Sequence, residues 1–342
     1  MDAEHGPMAA ARQTLHVISP LSWIADAFEK PFIDESAHRA NILAETDIPG
    51  WRIVRHCALE PVEDIAGEDA VWIAPEILAS LNAWRQQQSL VPLLLRAPSA
   101  RWPERLSGKS AGRSMLIATA GLIRAWHAFP HSLGMQPWTQ LGNGRADGFN
   151  AARRDLAALQ LALSGAPANS RIVLSEHVPG IREEWNILVH RGTAAAASPY
   201  CLHAPPDSHT VVTVFDLSQD VLFTASPAHF HHRYRTIASR IAEQAAAETG
   251  THDASMIIAF RNDEDAPIVL EIDPVWCATP YPYDATGMLA FMQAIADGRA
   301  GSSAHCSDSC GGSDPLFEPD PWMAAQYAKR YLHFRPASHR VT

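Results

Sequence analysis

The run Val269-Leu-Glu271-Ile-Asp273-Pro274 does most to limit what this chain can become. Period-2 alternation sends Val269, Glu271 and Asp273 to one face of a strand, at the end of an otherwise apolar stretch. Two carboxylates on one strand face repel each other unless something positive sits between them. A hard divalent cation such as Mg²⁺ meets that need, because it takes oxygen ligands and bridges phosphates. The plain alternative is an Asp-Pro turn with Glu271 facing water, and taken alone the run favours it. Residues 256–260, Met-Ile-Ile-Ala-Phe, form the partner strand of a hairpin around the polar turn 261–266.

At 342 residues the chain exceeds one small core, and two or three packed units are expected. Hydrophobic residues at 47% with 19% charged describe a soluble globular protein. The net charge of −10, without a dense basic patch, argues against nucleic acid as a partner. No apolar run approaches the ~20 residues that span a bilayer, so no membrane role is expected. The acidic, polar start Met1-Asp-Ala-Glu-His-Gly-Pro is not a signal peptide. Cys57, Cys201, Cys277, Cys306 and Cys310 are scattered and odd in number, which fits reduced thiols in the cytoplasm. Lysine occurs only at Lys30, Lys109 and Lys329, so 24 of the 27 basic residues are arginine.

Short apolar runs at 15–18, 51–57, 70–74 and 91–95 read as strands, with a helix from Pro75 through Ile77, Leu78, Leu81 and Trp84. Strands alternating with helices predict an α/β unit with a mainly parallel sheet over residues 14–98, behind a disordered start at 1–13. A central unit is expected over 99–170. It holds a strand at 115–118, helical patterns at 122–129 and 151–163, and the loop Gly142-Asn-Gly144-Arg145-Ala-Asp-Gly148 between them. A third unit over 171–299 holds strands at 171–175, 185–189 and 211–215, a long helix at 227–249 and the hairpin. Residues 300–342 read as a Gly-, Ser- and Asp/Pro-rich tail with little share in the core.

Several motifs are weak. Ser107-Gly108-Lys109-Ser110 lacks the earlier glycine of a phosphate loop, since Pro103 stands there. His229, His231 and His232 do not share a helix face and read as solvated. His305, Cys306, Asp308 and Cys310 lack a second metal-ligand pair.

Three segments, in order, resemble the ATP-grasp superfamily. Ile172-Val-Leu-Ser-Glu176-His-Val178-Pro-Gly180 is similar to the hinge that grips adenine through backbone groups. Glu184-Trp-Asn-Ile-Leu-Val-His190-Arg191-Gly192, followed by Ser198-Pro-Tyr200, resembles the strand pair whose glutamate reaches the ribose hydroxyls. Glu271-Ile-Asp273 resembles the Glu-x-Asn pair that holds Mg²⁺, with aspartate in place of asparagine. Upstream, Val71-Trp-Ile-Ala-Pro75-Glu and Leu94-Leu-Arg96-Ala-Pro98 look similar to the N-terminal domains of stand-alone bacterial members.

The resemblance implies an α/β and α+β chain: an N-terminal α/β domain and two subdomains that clasp ATP. It implies an ATP- and Mg²⁺-dependent ligase joining a small-molecule carboxylate to an amine through an acyl phosphate. Glu176 and Val178 would meet adenine, Glu184 the ribose, and Glu271 and Asp273 the metal. Gly142, Gly144 and Arg145 would take the phosphates, with Lys109 and Arg96 as further candidates. The family's two phosphate lysines have no match, so Arg96, Arg145 or Arg153 would substitute. The strand at 256–260 lacks the family's other metal carboxylate, Asp253 lying just before it, and Asn186 stands where an arginine is common. These departures motivate the alternative of a degenerate ATP-grasp protein that binds nucleotide or a partner without ligation. An unrelated α/β protein with a coincidental Glu-x-Asp-Pro strand is the third reading. Neither substrates nor oligomeric state are legible.

Overall fold

Three β-sheets organise the chain in the computed structural model, which describes residues 13–29, 50–142, 144, 146–203, 211–213, 230–261, 266–281, 283–300 and 314–334. In the first, β1 (Gln13–Ser19) lies between β2 (Trp51–Cys57) and β3 (Ala70–Ile73), all parallel. Central parallel strands are covered on both faces by crossover elements, and Leu15, His16, Val17 and Ile18 form a continuous buried run. His16 is its polar member and is satisfied by His56 Nε2 at 2.7 Å and Asp69 Oδ2 at 3.0 Å. Helices α1 (Ser22–Glu29) and α2 (Pro75–Gln87) follow β1 and β3. Proline suits the first turn of α2, and Ile77, Leu78, Leu81 and Trp84 make its buried face.

Two short helices, α3 (Trp102–Arg105) and α4 (Gly108–Ala111), lead to the second sheet. That sheet is antiparallel, in the order β4-β7-β5-β6, from β4 (Met115–Thr119), β5 (Trp138–Leu141), β6 (Ala152–Arg153) and β7 (Arg171–Ser175). Its helices are α5 (Ala120–Arg124) and α6 (Leu156–Ala162). The Asp155 carboxylate caps α6 by accepting from the Ala158 N–H at 2.8 Å.

The third sheet holds β8 (Ile181–His190), β9 (Thr193–His203), β10 (Val211–Thr213), β11 (Ala254–Arg261) and β12 (Pro267–Asp273), antiparallel in the order β10-β9-β8-β11-β12. One face packs on α7 (His232–Thr249), whose buried Tyr234, Ala238, Ala242, Ala245 and Ala246 recur at helical spacing. Gly250, at φ +70°, ends that helix. The other face is partly covered by α8 (Ala285–Asp297), which also packs on β3, with Phe291 stacked on Phe28 of α1 at 5.4 Å. Helix α8 therefore joins the first and third sheets into one core.

Several expectations are corrected. Strand β7, expected to open the third unit, is a central strand of the second sheet, so the boundary falls at Glu176. Residues 91–95 do not extend the first sheet. Leu95 and Arg96 make isolated bridges to Arg299 and Leu316, because those C-terminal segments flank them instead. The helical pattern at 122–129 is realised as α5 alone, and the one from 151 starts with β6.

The tail is the largest correction. Helix α9 (Pro321–Tyr327) packs on α2, and Trp322, Met323 and Tyr331 are buried. The Trp84 indole donates to the Phe334 carbonyl at 3.0 Å, and Trp276 donates to Arg96 at 2.6 Å. Tryptophan is an effective tie here, since its ring fills a core while its N–H needs a partner. Of the disordered start expected at 1–13, Gln13 instead opens β1, while residues 1–12, His229, and the Cys306 and Cys310 segment lie outside the described residues.

Met323 has no exposed surface and abuts Gly144, so truncation leaves a cavity. Met323→Ala should lower stability by about 2–5 kcal/mol in urea unfolding, whereas a dispensable tail predicts almost no change. A second expectation concerns acid. Burial pushes the His56 imidazole down from 6.5 to about 4, helped by the charge of neighbouring His16. The folded protein thus holds His56 neutral where the unfolded chain is already protonated. Its contribution is complete above pH 6.5 and is lost as pH falls toward about 4. The urea midpoint should drop across that window, and His56→Gln should flatten the slope; an unchanged slope would contradict the burial account.

Candidate functional site

Register fixes which side chains share a face of the third sheet. Asn186 opposes Ile257, which opposes Glu271; Glu184 opposes both Ala259 and Cys201; Ser255 opposes Asp273. Alternation then puts Glu184, Asn186, Cys201, Glu271 and Asp273 on one face. Helix α8 covers the middle of it. Tyr283 OH donates to Asn186 Oδ1, and Asn186 Nδ2 donates to Ser255 Oγ at 2.7 Å, so Asn186 is fully buried. An asparagine with both ends bonded holds the sheet to the approach of α8. It leaves the ends of β8, β9 and β12 to carry the charges.

Against this face comes Arg113, a residue the sequence reading did not single out. It sits between α4 and β4, just after Gly112. Gly112 has φ +68°, and a Cβ there would lie 2.7 Å from the Pro267 carbonyl oxygen, so only glycine lets the chain pass this close to β12. Where β12 shifts register against β11, between Ile257 and Ile258, Leu270 is skipped. Its carbonyl instead accepts from Arg113 Nη2 at 2.7 Å.

Burial pushes the Arg113 guanidinium down from 12.5 to about 10, while Glu271, Glu184 and Glu176 pull it back up, in that order. The group is charged at neutral pH. Three carboxylates from β12, from β8 and from the link after β7 therefore act on one cation. Arg113 Nε is buried without a hydrogen-bond partner among the described residues. An orphan donor of this kind costs roughly 1–3 kcal/mol, and it offers a place for an incoming oxygen.

Glu176 begins the link between the second and third sheets. Its N–H donates to the Ser114 carbonyl at 2.8 Å, and its Oε2 accepts from the Ser114 N–H at 3.1 Å. These bonds clamp Glu176 beside Arg113. Val178 follows, half-buried. Glu184 bonds His203 Nε2 at 2.9 Å, and His203 Nε2 is 3.7 Å from the buried Cys201 thiol. Burial, with the charge of Glu184, pushes that thiol far above its ordinary range.

The remaining candidates are less gathered. Glu271 is half-buried and Asp273 exposed, on the same face of β12. Arg96 Nη1 donates to the Asp314 carbonyl at 2.9 Å, and the Arg96 carbonyl accepts from Trp276. Lys109 is exposed on α4, while the flanking Ser107 and Ser110 hydroxyls bond Glu248 of α7 at 3.1 and 2.6 Å. Those serines are committed to a carboxylate, as expected of a segment that is not a phosphate loop.

Gly142 runs close to Arg171, and a Cβ at Gly144 would meet Met323 Sδ at 2.5 Å. Packing against α9 thus accounts for Gly144. Arg145 lies outside the described residues. Arg153 reaches Gln136 at the outer edge of the second sheet. Asp253 bonds His190 at 2.8 Å and the Arg191 N–H at 3.0 Å, so it serves a separate network. His231, expected to be solvated, bonds fully buried Glu183 through its ring and its backbone N–H.

No family model matches the sequence, and no curated protein matches it. Among solved structures the chain is similar to a D-alanine–D-alanine ligase from Bacillus anthracis, at 9% identity and a TM-score of 0.45, over 83% of this chain and 97% of that one. It is also similar to N5-carboxyaminoimidazole synthetase from Staphylococcus aureus complexed with ADP, at 15% identity, a TM-score of 0.43 and coverages of 86% and 80%. A RimK domain ATP-grasp protein from Sphaerobacter thermophilus aligns at 13% identity with a TM-score of 0.38, over 84% of this chain and 100% of that one. At such values the likenesses decide nothing by themselves, and the functional reading rests on the geometry above.

Removing the cation should expose the repulsion it offsets. Arg113→Ala should destabilise the fold by about 1–3 kcal/mol in chemical unfolding. Adding Glu271→Gln should recover about 0.5–3 kcal/mol of that loss. Strictly additive losses would show that Arg113 and Glu271 do not interact.

Proposed function

We propose that this chain is an ATP-dependent ligase of the carboxylate–amine type, built on the ATP-grasp plan, with nucleotide between the second and third sheets. The observation that carries the reading is that Arg113 bonds the Leu270 carbonyl beside Glu271, its neighbour Ser114 bonds Glu176, and the charges of Glu271, Glu184 and Glu176 all act on it. Each glutamate comes from a different one of the three segments that resemble the family, Glu176 and Glu184 close together in sequence and Glu271 far from both. A coincidental Glu-x-Asp-Pro strand gives no reason for the other two to arrive at the same cation.

In this reading the backbone from Glu176 to Val178 meets the adenine edge. The Glu176 N–H is already committed to Ser114, which leaves the neighbouring backbone groups for the base. Glu184 stands where a carboxylate accepts ribose hydroxyls, provided it leaves His203. Arg113 faces the phosphates, its unpaired Nε supplying a donor and its charge offsetting the phosphoryl oxygens. Arginine thereby takes the place of the absent lysines.

Glu271 and Asp273 fit Mg²⁺. Both are oxygen donors two residues apart on one strand face, and a two-carboxylate site completed by phosphates and water is usual for this ion. When bound, Mg²⁺ supplies charge neutralisation of the polyphosphate. The substrate carboxylate attacks the γ-phosphorus, the bond to ADP breaks, and an acyl phosphate forms. The amine then attacks the acyl carbon, inorganic phosphate departs, and the amine proton passes to solvent or a base. The chain's share is positioning and charge.

Among the described residues no helix is long and apolar enough to cross a membrane. Small-molecule carboxylate and amine substrates and a cytoplasmic setting fit the same reading, with Cys57, Cys201 and Cys277 not joined in disulfides.

One observation favours a second reading, a nucleotide-binding protein without ligation. Gly144 is filled by Met323 and Glu184 is held by His203, so two expected nucleotide contacts are occupied. Calorimetric titration with ATP, with and without Mg²⁺, followed by phosphate release with carboxylate and amine mixtures, separates the two. A ligase predicts Mg²⁺-dependent micromolar binding, about −8 kcal/mol, and phosphate release that needs both substrates. Glu271→Gln should weaken the Mg²⁺ dependence by at least roughly tenfold. Tight binding without substrate-dependent phosphate release supports the second reading, and no binding at millimolar ATP contradicts both.

A further inference from the structure

Glu184 and Cys201 face each other directly across β8 and β9, and His203 stands two residues further along β9. All three side chains leave the sheet on the same side. Their donor atoms converge. His203 Nε2 lies 2.9 Å from Glu184 Oε1 and 3.7 Å from Cys201 Sγ, and all three atoms lie within 4.8 Å of one another. A single ring nitrogen aimed between a carboxylate and a thiol has two partners for one proton, which hydrogen bonding alone satisfies poorly.

A tetrahedral zinc ion suits this spacing. Bonds of about 2.0–2.3 Å set neighbouring donor atoms roughly 3.3–3.7 Å apart. The sulfur–nitrogen separation already matches, and the carboxylate oxygen needs to retreat by only roughly 0.4 Å. The donor types also select the ion. Thiolate and imidazole with one carboxylate suit a borderline-soft cation, and they suit Mg²⁺ badly, since it prefers oxygen alone.

The site is sheltered yet reachable, with Cys201 4% exposed and the Glu184 and His203 side chains at 14% and 20%. Adjacent strands hold the donors, so little side-chain ordering is left to complete. The nearby cation Arg113 is offset by Glu271 and Glu176 as well as by Glu184. The Cys201 thiolate and the Glu184 carboxylate would neutralise a divalent ion, and Glu271 and Glu176 remain to offset Arg113.

We propose that Glu184, Cys201 and His203 form a binding site for a zinc-class divalent metal, distinct from the oxygen pair Glu271 and Asp273. Binding forms the three metal–ligand bonds and releases the Cys201 thiol proton to solvent. With three protein donors, a fourth position is left for water or a small ligand. One consequence rests on the ligase reading, namely that a bound metal withdraws Glu184 from ribose, so zinc and ATP compete. The site itself does not depend on that reading.

The test uses the full chain, stripped of metal, with Cys57, Cys277, Cys306 and Cys310 replaced by serine so that Cys201 is the one thiol. Zn²⁺ is titrated by calorimetry in excess Mg²⁺, and Co²⁺ by absorption spectroscopy. The expected result is one ion per chain and a sulfur-to-cobalt charge-transfer band. Both should vanish in C201S, and affinity should fall at least tenfold in H203Q, with circular dichroism unchanged in each. H203Q keeps the test decisive if C201S fails to fold. No uptake at micromolar zinc, uptake without the thiolate band, or uptake that survives either substitution would overturn the site. Zinc bound here with no effect on ATP affinity supports the site and tells against the ribose role of Glu184, so the two readings fail separately.

Discussion

A half-buried guanidinium with a buried Nε gains from nearby anions, and the charges of Glu271, Glu184 and Glu176 all favour the cationic form of Arg113. Those charges couple residues of the second and third sheets at one side chain. Glu176 arrives from the second sheet, Glu184 and Glu271 from the third, and Arg113 itself from the passage between α4 and β4. Displacing any one of these elements by a few ångströms would weaken the compensation of a half-buried charge. Gly112 and the irregularity at Leu270 are the local concessions that make the meeting possible. One lets the backbone graze β12, and the other turns a carbonyl out of the ladder toward Arg113.

The same face of the third sheet divides its chemistry by register. Toward β12 it offers oxygen alone, from Glu271 and Asp273. Toward β9 it offers sulfur and nitrogen as well, from Cys201 and His203. Glu184 lies between the two regions, within the field of Arg113 and bonded to His203. The protonation of Cys201 belongs to the same picture, since a thiol pressed by burial and by a carboxylate stays neutral until something positive arrives.

Strand-length apolar runs and helical spacing located most elements of the fold, because burial imposes those periods directly on the sequence. What they did not reveal was partnership. Strand β7 has the look of a third-unit strand by proximity to β8, yet it pairs with β4 and β5. Residues 91–95 have the composition of a sheet strand and bond to C-terminal segments instead. The tail looked polar on average, while a few residues in it, Trp322, Met323 and Tyr331, fill the cores of two units.

Among the proposed site residues, Glu176, Glu184 and Glu271 stand in ordered motifs of the sequence. Arg113 does not, since an isolated arginine before a strand carries no pattern. The arginines expected to replace the family's lysines were Arg96, Arg145 and Arg153, which lie in or beside segments with a readable pattern. The alternation of Cys201 and His203 on a strand was a usable signal that went unread.

The central claim is that nucleotide sits between the second and third sheets with its phosphates directed at Arg113, Glu271 and Asp273. A crystal structure of the protein with Mg²⁺ and a non-hydrolysable ATP analogue tests this most directly. The account predicts adenine against residues 176–178, a metal on Glu271 and Asp273, and a phosphate oxygen within hydrogen-bonding distance of Arg113 Nε. An analogue bound elsewhere, or bound here with Arg113 Nε still unpaired and no metal at Glu271, would contradict it.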